Sequence, residues 1–285
     1  MTTTSIRRRT SQDLHAARPS LVRIARLGWF AKGLVYLLAG VLAASLATRS
    51  LRWSTPQVVG EASPTGAIEE VSSLAGGRVL LYALGVGLIL YSAWRLYTTF
   101  GRGGTGAEAL AKRIGYGFSA ILYLTFALTS FALAKHPRAN PNGNTKVSDI
   151  TKRIMDQNLG RWIIGVFGVI GIAVGLYRFR KGLTGDVEDE LNLSAVSANR
   201  RRLLHRLGVF GEIGRGVAIA LIGFFLLRAA MTVNAQEATG LDGALRRLAI
   251  QTWGALVVGT VGLGFVAYGI FCLLTFTHRQ LHAPS

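Results

Sequence analysis

Half of the 285 residues are hydrophobic, only 16% are charged, and the mean hydropathy is positive, a balance foreign to an ordinary soluble domain. The formal net charge of +18 invites a nucleic-acid reading, but the basic residues cluster beside apolar runs, where they set topology and attract anionic lipid. The single cysteine, Cys272, excludes an intramolecular disulfide and any Cys-based zinc or CxxC redox site, and reads as a small core or lipid-facing residue.

In chain order, Arg7, Arg8 and Arg9 open a basic tail over 1–20 that reads as a retained leader rather than a cleaved signal. Six apolar runs follow, at Leu27–Ala47, Val79–Thr99, Gly115–Ala134, Arg161–Phe179, Gly208–Ala230 and Trp253–Phe276. Each has about twenty residues, enough for about 30 Å of hydrocarbon at 1.5 Å per helical residue. The predicted fold is an all-α integral membrane protein of six transmembrane helices. They form three tandem two-helix repeats over 21–101, 107–182 and 201–278, with a linker at 183–200 and a tail at 279–285. Each hairpin returns the chain to its starting side, so the copies share one orientation and suit a pseudo-threefold axis along the membrane normal. The connections are too short for a separate catalytic domain.

Aligned first helices set Arg26, Gly28, Gly33 and Tyr36 on Arg113, Gly115, Ala120 and Tyr123, with Gly211 and Gly216 in the third copy. Second helices align on Gly77, Gly160 and Gly254, and small residues recur at Gly85 and Ser92, Gly168 and Gly175, Gly262 and Gly269. Seven residues are two helical turns, so each pair marks one face for close helix contact. Past the stripe, Trp94-Arg95 and Tyr177-Arg178 have the form of interfacial anchors with snorkelling charges, the alternative being ligand-contacting arginines.

The outer connections carry Thr65, Thr145 and Thr239 ahead of matched apolar positions, which predicts three short amphipathic surface helices with threonine N-caps. Basic pairs on two of them, Lys152-Arg153 and Arg246-Arg247, suit lipid headgroups or a solvated face. Twenty of the 32 Lys and Arg residues fall on the side of the termini: seven up to Lys32, four from Arg95 to Arg113, eight from Arg178 to Arg215, and Arg279. The positive-inside rule then puts both termini in the cytoplasm, although six basic residues from Lys135 to Arg161 blunt the bias.

The segment Ala238–Ala249, with Gly254 and the run Gly262-Leu263-Gly264-Phe265-Val266-Ala267-Tyr268-Gly269, closely resembles the third repeat of the bacterial family known as domain of unknown function 1206. The resemblance covers about residues 21 to 280 and is weaker in the first two repeats. It implies an integral membrane protein of tandem two-helix repeats with no agreed activity, and supplies no catalytic residues. Family members commonly carry Arg-Gly early in the first helix, where this chain has Lys32-Gly33 and Ser119-Ala120.

Charges inside a span are costly and are usually paired or functional. Lys32, Ser119, Glu212 and Arg215 form a candidate axial polar cluster, with Glu212 and Arg215 on one helix face; the alternative is snorkelling to the cytoplasmic surface. No catalytic, metal or cofactor set is expected. His15, His136, His205, His278 and His282 fall in tails or loops, the acidic run Asp186, Glu188, Asp189 and Glu190 lacks EF-hand spacing, and Gly101-Arg102-Gly103-Gly104 lacks a phosphate-loop lysine. The expected role is a structural or accessory protein of the cytoplasmic membrane, not an enzyme. Its partners would be the bilayer, anionic headgroups or another membrane protein, with no nucleic acid. The alternatives are a small transporter or channel with an axial polar path, and an intramembrane lipid-modifying enzyme.

Overall fold

The computed structural model describes residues 26–48, 62–101, 106–136, 143–185 and 197–276. The basic tail, the acidic run at 186–190 and the glycine loop at 102–104 lie outside them. Among the described residues, six helices are long and apolar enough to cross a membrane: α1 (Arg26–Thr48), α3 (Gly77–Gly101), α4 (Ala107–Lys135), α6 (Gly160–Thr184), α7 (Ala198–Thr232) and α9 (Gly254–Thr275). Three short helices connect pairs of them, α2 (Pro64–Ser73), α5 (Gly143–Met155) and α8 (Leu241–Ala249).

The first five long helices cover their predicted runs, α9 stops one residue short of its run at each end, with Trp253 and Phe276 as its caps, and α7 begins ten residues early. At 1.5 Å per residue its 35 residues exceed the hydrocarbon thickness of about 30 Å, so the first turns, with Arg200, Arg201 and Arg202, extend past the apolar run. His205 therefore stands on a helix and not in a loop.

The threonine caps are corrected. The N-cap of α2 is Ser63, whose hydroxyl accepts from the Gly66 N–H at 3.1 Å, with Pro64 at the first helical position, where its missing N–H costs nothing. Thr145 lies inside α5, and the N-cap of α8 is Gly240.

Small residues set the helix contacts. A Cβ on Gly85 would meet the Phe131 ring of α4, and the Ser92 hydroxyl donates to the Ala120 carbonyl at 2.7 Å. Gly168 and Gly175 lie against the backbone of Leu227 and Ala220 on α7; Gly262 and Gly269 lie against Ala44 and Leu37 on α1. The second helix of each hairpin thus packs on the first helix of another: α3 on α4, α6 on α7, α9 on α1. In every pair, later residues of one helix meet earlier residues of its neighbour, so neighbours are antiparallel and α1, α4 and α7 run the same way.

Within hairpins, α1 meets α3 where Gly28 abuts the Tyr91 backbone, and α7 meets α9 where Gly211 abuts Tyr268 and Gly214 abuts Gly264. The middle hairpin differs. Gly115, in register with Gly28 and Gly211, has nothing within 4 Å of a Cβ built on it, and no substantial contact joins α4 to α6 among the described residues.

The short helices tie one hairpin to another. Ala67, Ile68 and Val71 of α2 are buried, and α2 packs on α4 as well as α3. On α8, the Asp242 carboxylate accepts from the Ala62 N–H at 2.7 Å and from Arg246 Nε at 2.8 Å, which fixes α8 to the segment entering α2.

Candidate functional site

The most unusual group in the bundle is Lys32 on α1. It is 2% exposed, six residues into the helix, and its ammonium donates to the hydroxyls of Tyr91 on α3 (3.0 Å) and Tyr268 on α9 (2.9 Å). Five rings surround it: Trp29 at 4.4 Å from the centroid, Tyr91 at 4.9 Å, Tyr268 at 5.1 Å, Tyr123 at 5.4 Å and Tyr36 at 5.9 Å. Ring faces carry negative quadrupole charge and replace part of the lost hydration of the ammonium. Glycine places this cage: with a side chain at Gly28, the Tyr91 backbone would be pushed away from α1. A snorkelled lysine would reach water; Lys32 does not.

Two arginines border the cage. Arg95 Nε donates to the Tyr91 hydroxyl at 2.7 Å, and its guanidinium lies 4.9 Å from the Tyr116 ring of α4. The Arg215 guanidinium lies 4.1 Å from the Tyr268 ring and 5.5 Å from the Tyr36 ring. Tyr123 donates to the Tyr36 hydroxyl at 3.4 Å, which carries the network into α4.

Glu212 is the carboxylate of the site. One oxygen accepts from Arg215 NH1 at 2.8 Å and the other from Arg178 NH1 of α6 at 2.9 Å. Its side chain is 11% exposed, as is that of Arg215, and that of Arg178 is 32% exposed. With both oxygens bonded and two cations at contact, the carboxylate is compensated in a medium that punishes a lone charge.

Of the four residues expected to share the axis, Glu212 and Arg215 pair directly, and Lys32 is joined to Arg215 through Tyr268. Ser119 is half-buried on α4 and makes no hydrogen bond with the other three. Among the expected anchors, Tyr177 is exposed, Trp94 is buried beside Tyr97, and the two arginines bind inside the bundle. Arg246 is held by Asp242. Arg247 is held by Glu237 at 2.9 Å and the Gln236 carbonyl at 2.7 Å, while Lys152 and Arg153 are exposed.

The aromatic cage is absent from the sequence reading. A signal existed: Tyr91 and Tyr268 each stand six residues after a stripe glycine, Gly85 and Gly262. Arg178 as the second partner of Glu212 had no local signal, because it arrives from another helix.

Six apolar helices around a cluster of tyrosines, three arginines, a lysine and a glutamate define a multi-pass membrane protein of the helical-bundle class. The chain belongs to the family described as Domain of Unknown Function (DUF1206), which it matches over residues 27–102, 114–185 and 210–275, one match per hairpin. It is similar to the uncharacterized protein YxxB of Bacillus subtilis (strain 168), at 30% identity over 269 residues covering 93% of each chain. No solved structure matches it.

Proposed function

We propose that this protein is a structural or accessory component of a bacterial cytoplasmic membrane, with both termini in the cytoplasm and three hairpins arranged around a pseudo-threefold axis. The observation that carries the role is the filling of the bundle interior: Lys32, fully buried, is bonded to Tyr91 and Tyr268 and ringed by five aromatics drawn from α1, α3, α4 and α9. A transport path would need polar side chains facing water at this depth. Here the polar atoms face one another, and no proline breaks a long helix to build a midplane site.

The symmetry rests on register. Ala44, Phe131 and Leu227, the residues met by Gly262, Gly85 and Gly168, each stand sixteen residues after Gly28, Gly115 and Gly211. The contacts α3 to α4, α6 to α7 and α9 to α1 are therefore one contact made three times. Arg95 on Tyr116 and Arg178 on Glu212 occupy equal places at two of these interfaces, with Cys272 and Trp29 in those places at the third. The side of the termini follows from the distribution of Lys and Arg.

Flux measurements on proteoliposomes test the role. The expected result is solute and ion leakage equal to that of protein-free vesicles, and selective flux lost in Glu212→Gln would replace the accessory reading with a transporter.

A further inference from the structure

We infer that the open seam between α4 and α6 seats one anionic phospholipid, with its phosphate on Arg178 and an acyl chain along the seam. The inference deepens the accessory reading by naming a bound lipid, and it rests on the membrane placement given there.

Charge provides the first argument. Arg178 and Arg215 share one carboxylate, Glu212, and Lys32 on the far side of Tyr268 is bonded to hydroxyls, so these four groups alone carry an excess of two positive charges. The acceptors of Lys32 are neutral hydroxyls, and it has no carboxylate partner among the described residues. Each arginine gives Glu212 only NH1, and both Nε atoms are buried without an acceptor. The Nε atoms are closed off, so the donors open to a phosphate are those on the exposed part of Arg178, whose side chain is 32% exposed against 11% for Arg215.

The seam provides the second. Two of the three intra-hairpin contacts are closed by glycine against a tyrosine, Gly28 on Tyr91 and Gly211 on Tyr268. At the third, Gly115 meets nothing, and Val174, the residue in register with Tyr91 and Tyr268, is 40% exposed. Arg178 lies one turn beyond Val174 on the same face of α6, so the seam ends at the guanidinium. Arg178 is six residues from the last residue of α6, about 9 Å at 1.5 Å per residue, which suits a headgroup at the membrane boundary. Phe118, three residues after Gly115, and Ile170, four before Val174, share those helix faces and are apolar and exposed, as an acyl chain requires.

The test uses the full chain in detergent, delipidated and then offered phosphatidylglycerol, phosphatidylcholine or inorganic phosphate alone, with native mass spectrometry and thermal melting as readouts. The expected result is one phosphatidylglycerol retained per chain with a raised melting temperature, and neither effect from phosphatidylcholine or phosphate. Arg178→Gln should weaken retention about tenfold, the loss expected of one charged hydrogen-bond partner. Gly115→Leu leaves every charge in place, enters open space, and should reduce retention while the lipid-free melting temperature stays unchanged. Equal retention of the two lipids, an equal shift from phosphate alone, or full retention by the Gly115→Leu protein would overturn the inference. Flux in the proteoliposome experiment bears on the accessory role alone, so the two failures are distinguishable.

Discussion

An ammonium taken out of water costs several kcal/mol even after relaxation, and Lys32 recovers part of that through two hydroxyls and five ring faces. Because it lacks a counter-ion, Lys32→Met loses those bonds but also removes the desolvated charge, and a net change of about 1 kcal/mol or less is expected. Glu212→Gln is different: it leaves Arg178 and Arg215 sharing a neutral amide, and a loss of about 2–4 kcal/mol is expected. Thermal melts of both variants in one detergent check the order, and a Lys32→Met protein less stable than Glu212→Gln would refute this account of the charges. The Glu212–Arg215 pair was legible because three residues separate its members on one helix. The third member was not, since Arg178 reaches Glu212 only after α6 and α7 pack, and sequence spacing says nothing of distance between helices.

Helix association in lipid depends on close backbone approach, and the glycine stripes differ in what they touch. Gly269 lies against the Leu37 backbone, which cannot move aside, whereas Gly85 faces the Phe131 ring, which can rotate. Gly269→Ala is therefore expected to cost about 1–3 kcal/mol and Gly85→Ala less, as read from melting temperatures. Gly259→Ala, whose new methyl would meet only the Ala47 Cβ at 3.7 Å, is expected to be near neutral and serves as the control. Periodicity made the six long helices and their small-residue faces legible, because both follow from the 3.6-residue turn. Which helix each face would meet was not legible, and neither was the capping of α2: Ser63-Pro64 outcompetes Thr65, since proline fits the first helical position and the hydroxyl before it is already placed to cap.

At the scale of the molecule, the chain is one hairpin written three times, and its contacts repeat with its register. Divergence is concentrated in the middle copy, where Ser119 stands in the place of Lys32 and Arg215, and Val174 in the place of two tyrosines. The seam opens there and nowhere else among the described intra-hairpin contacts. Repeat number and shared orientation could be read from the sequence, because both follow from hydropathy. The asymmetry could not, since the loss of one tyrosine acts only through the packing it removes. The central claim is that the second helix of each hairpin packs on the first helix of the next, with α9 closing onto α1. Cysteine pairs in a Cys272→Ala chain test it directly in native membranes. A Cβ at Gly259 lies 3.7 Å from the Ala47 Cβ, and one at Gly165 lies 3.6 Å from the Ala230 Cβ, both within the Cβ separation a disulfide spans. Mild oxidation should link Ala47→Cys with Gly259→Cys and Gly165→Cys with Ala230→Cys, each within a single chain. Failure of the Ala47–Gly259 pair to link within the chain, while the Gly165–Ala230 pair does, would leave the bundle unclosed and contradict the account.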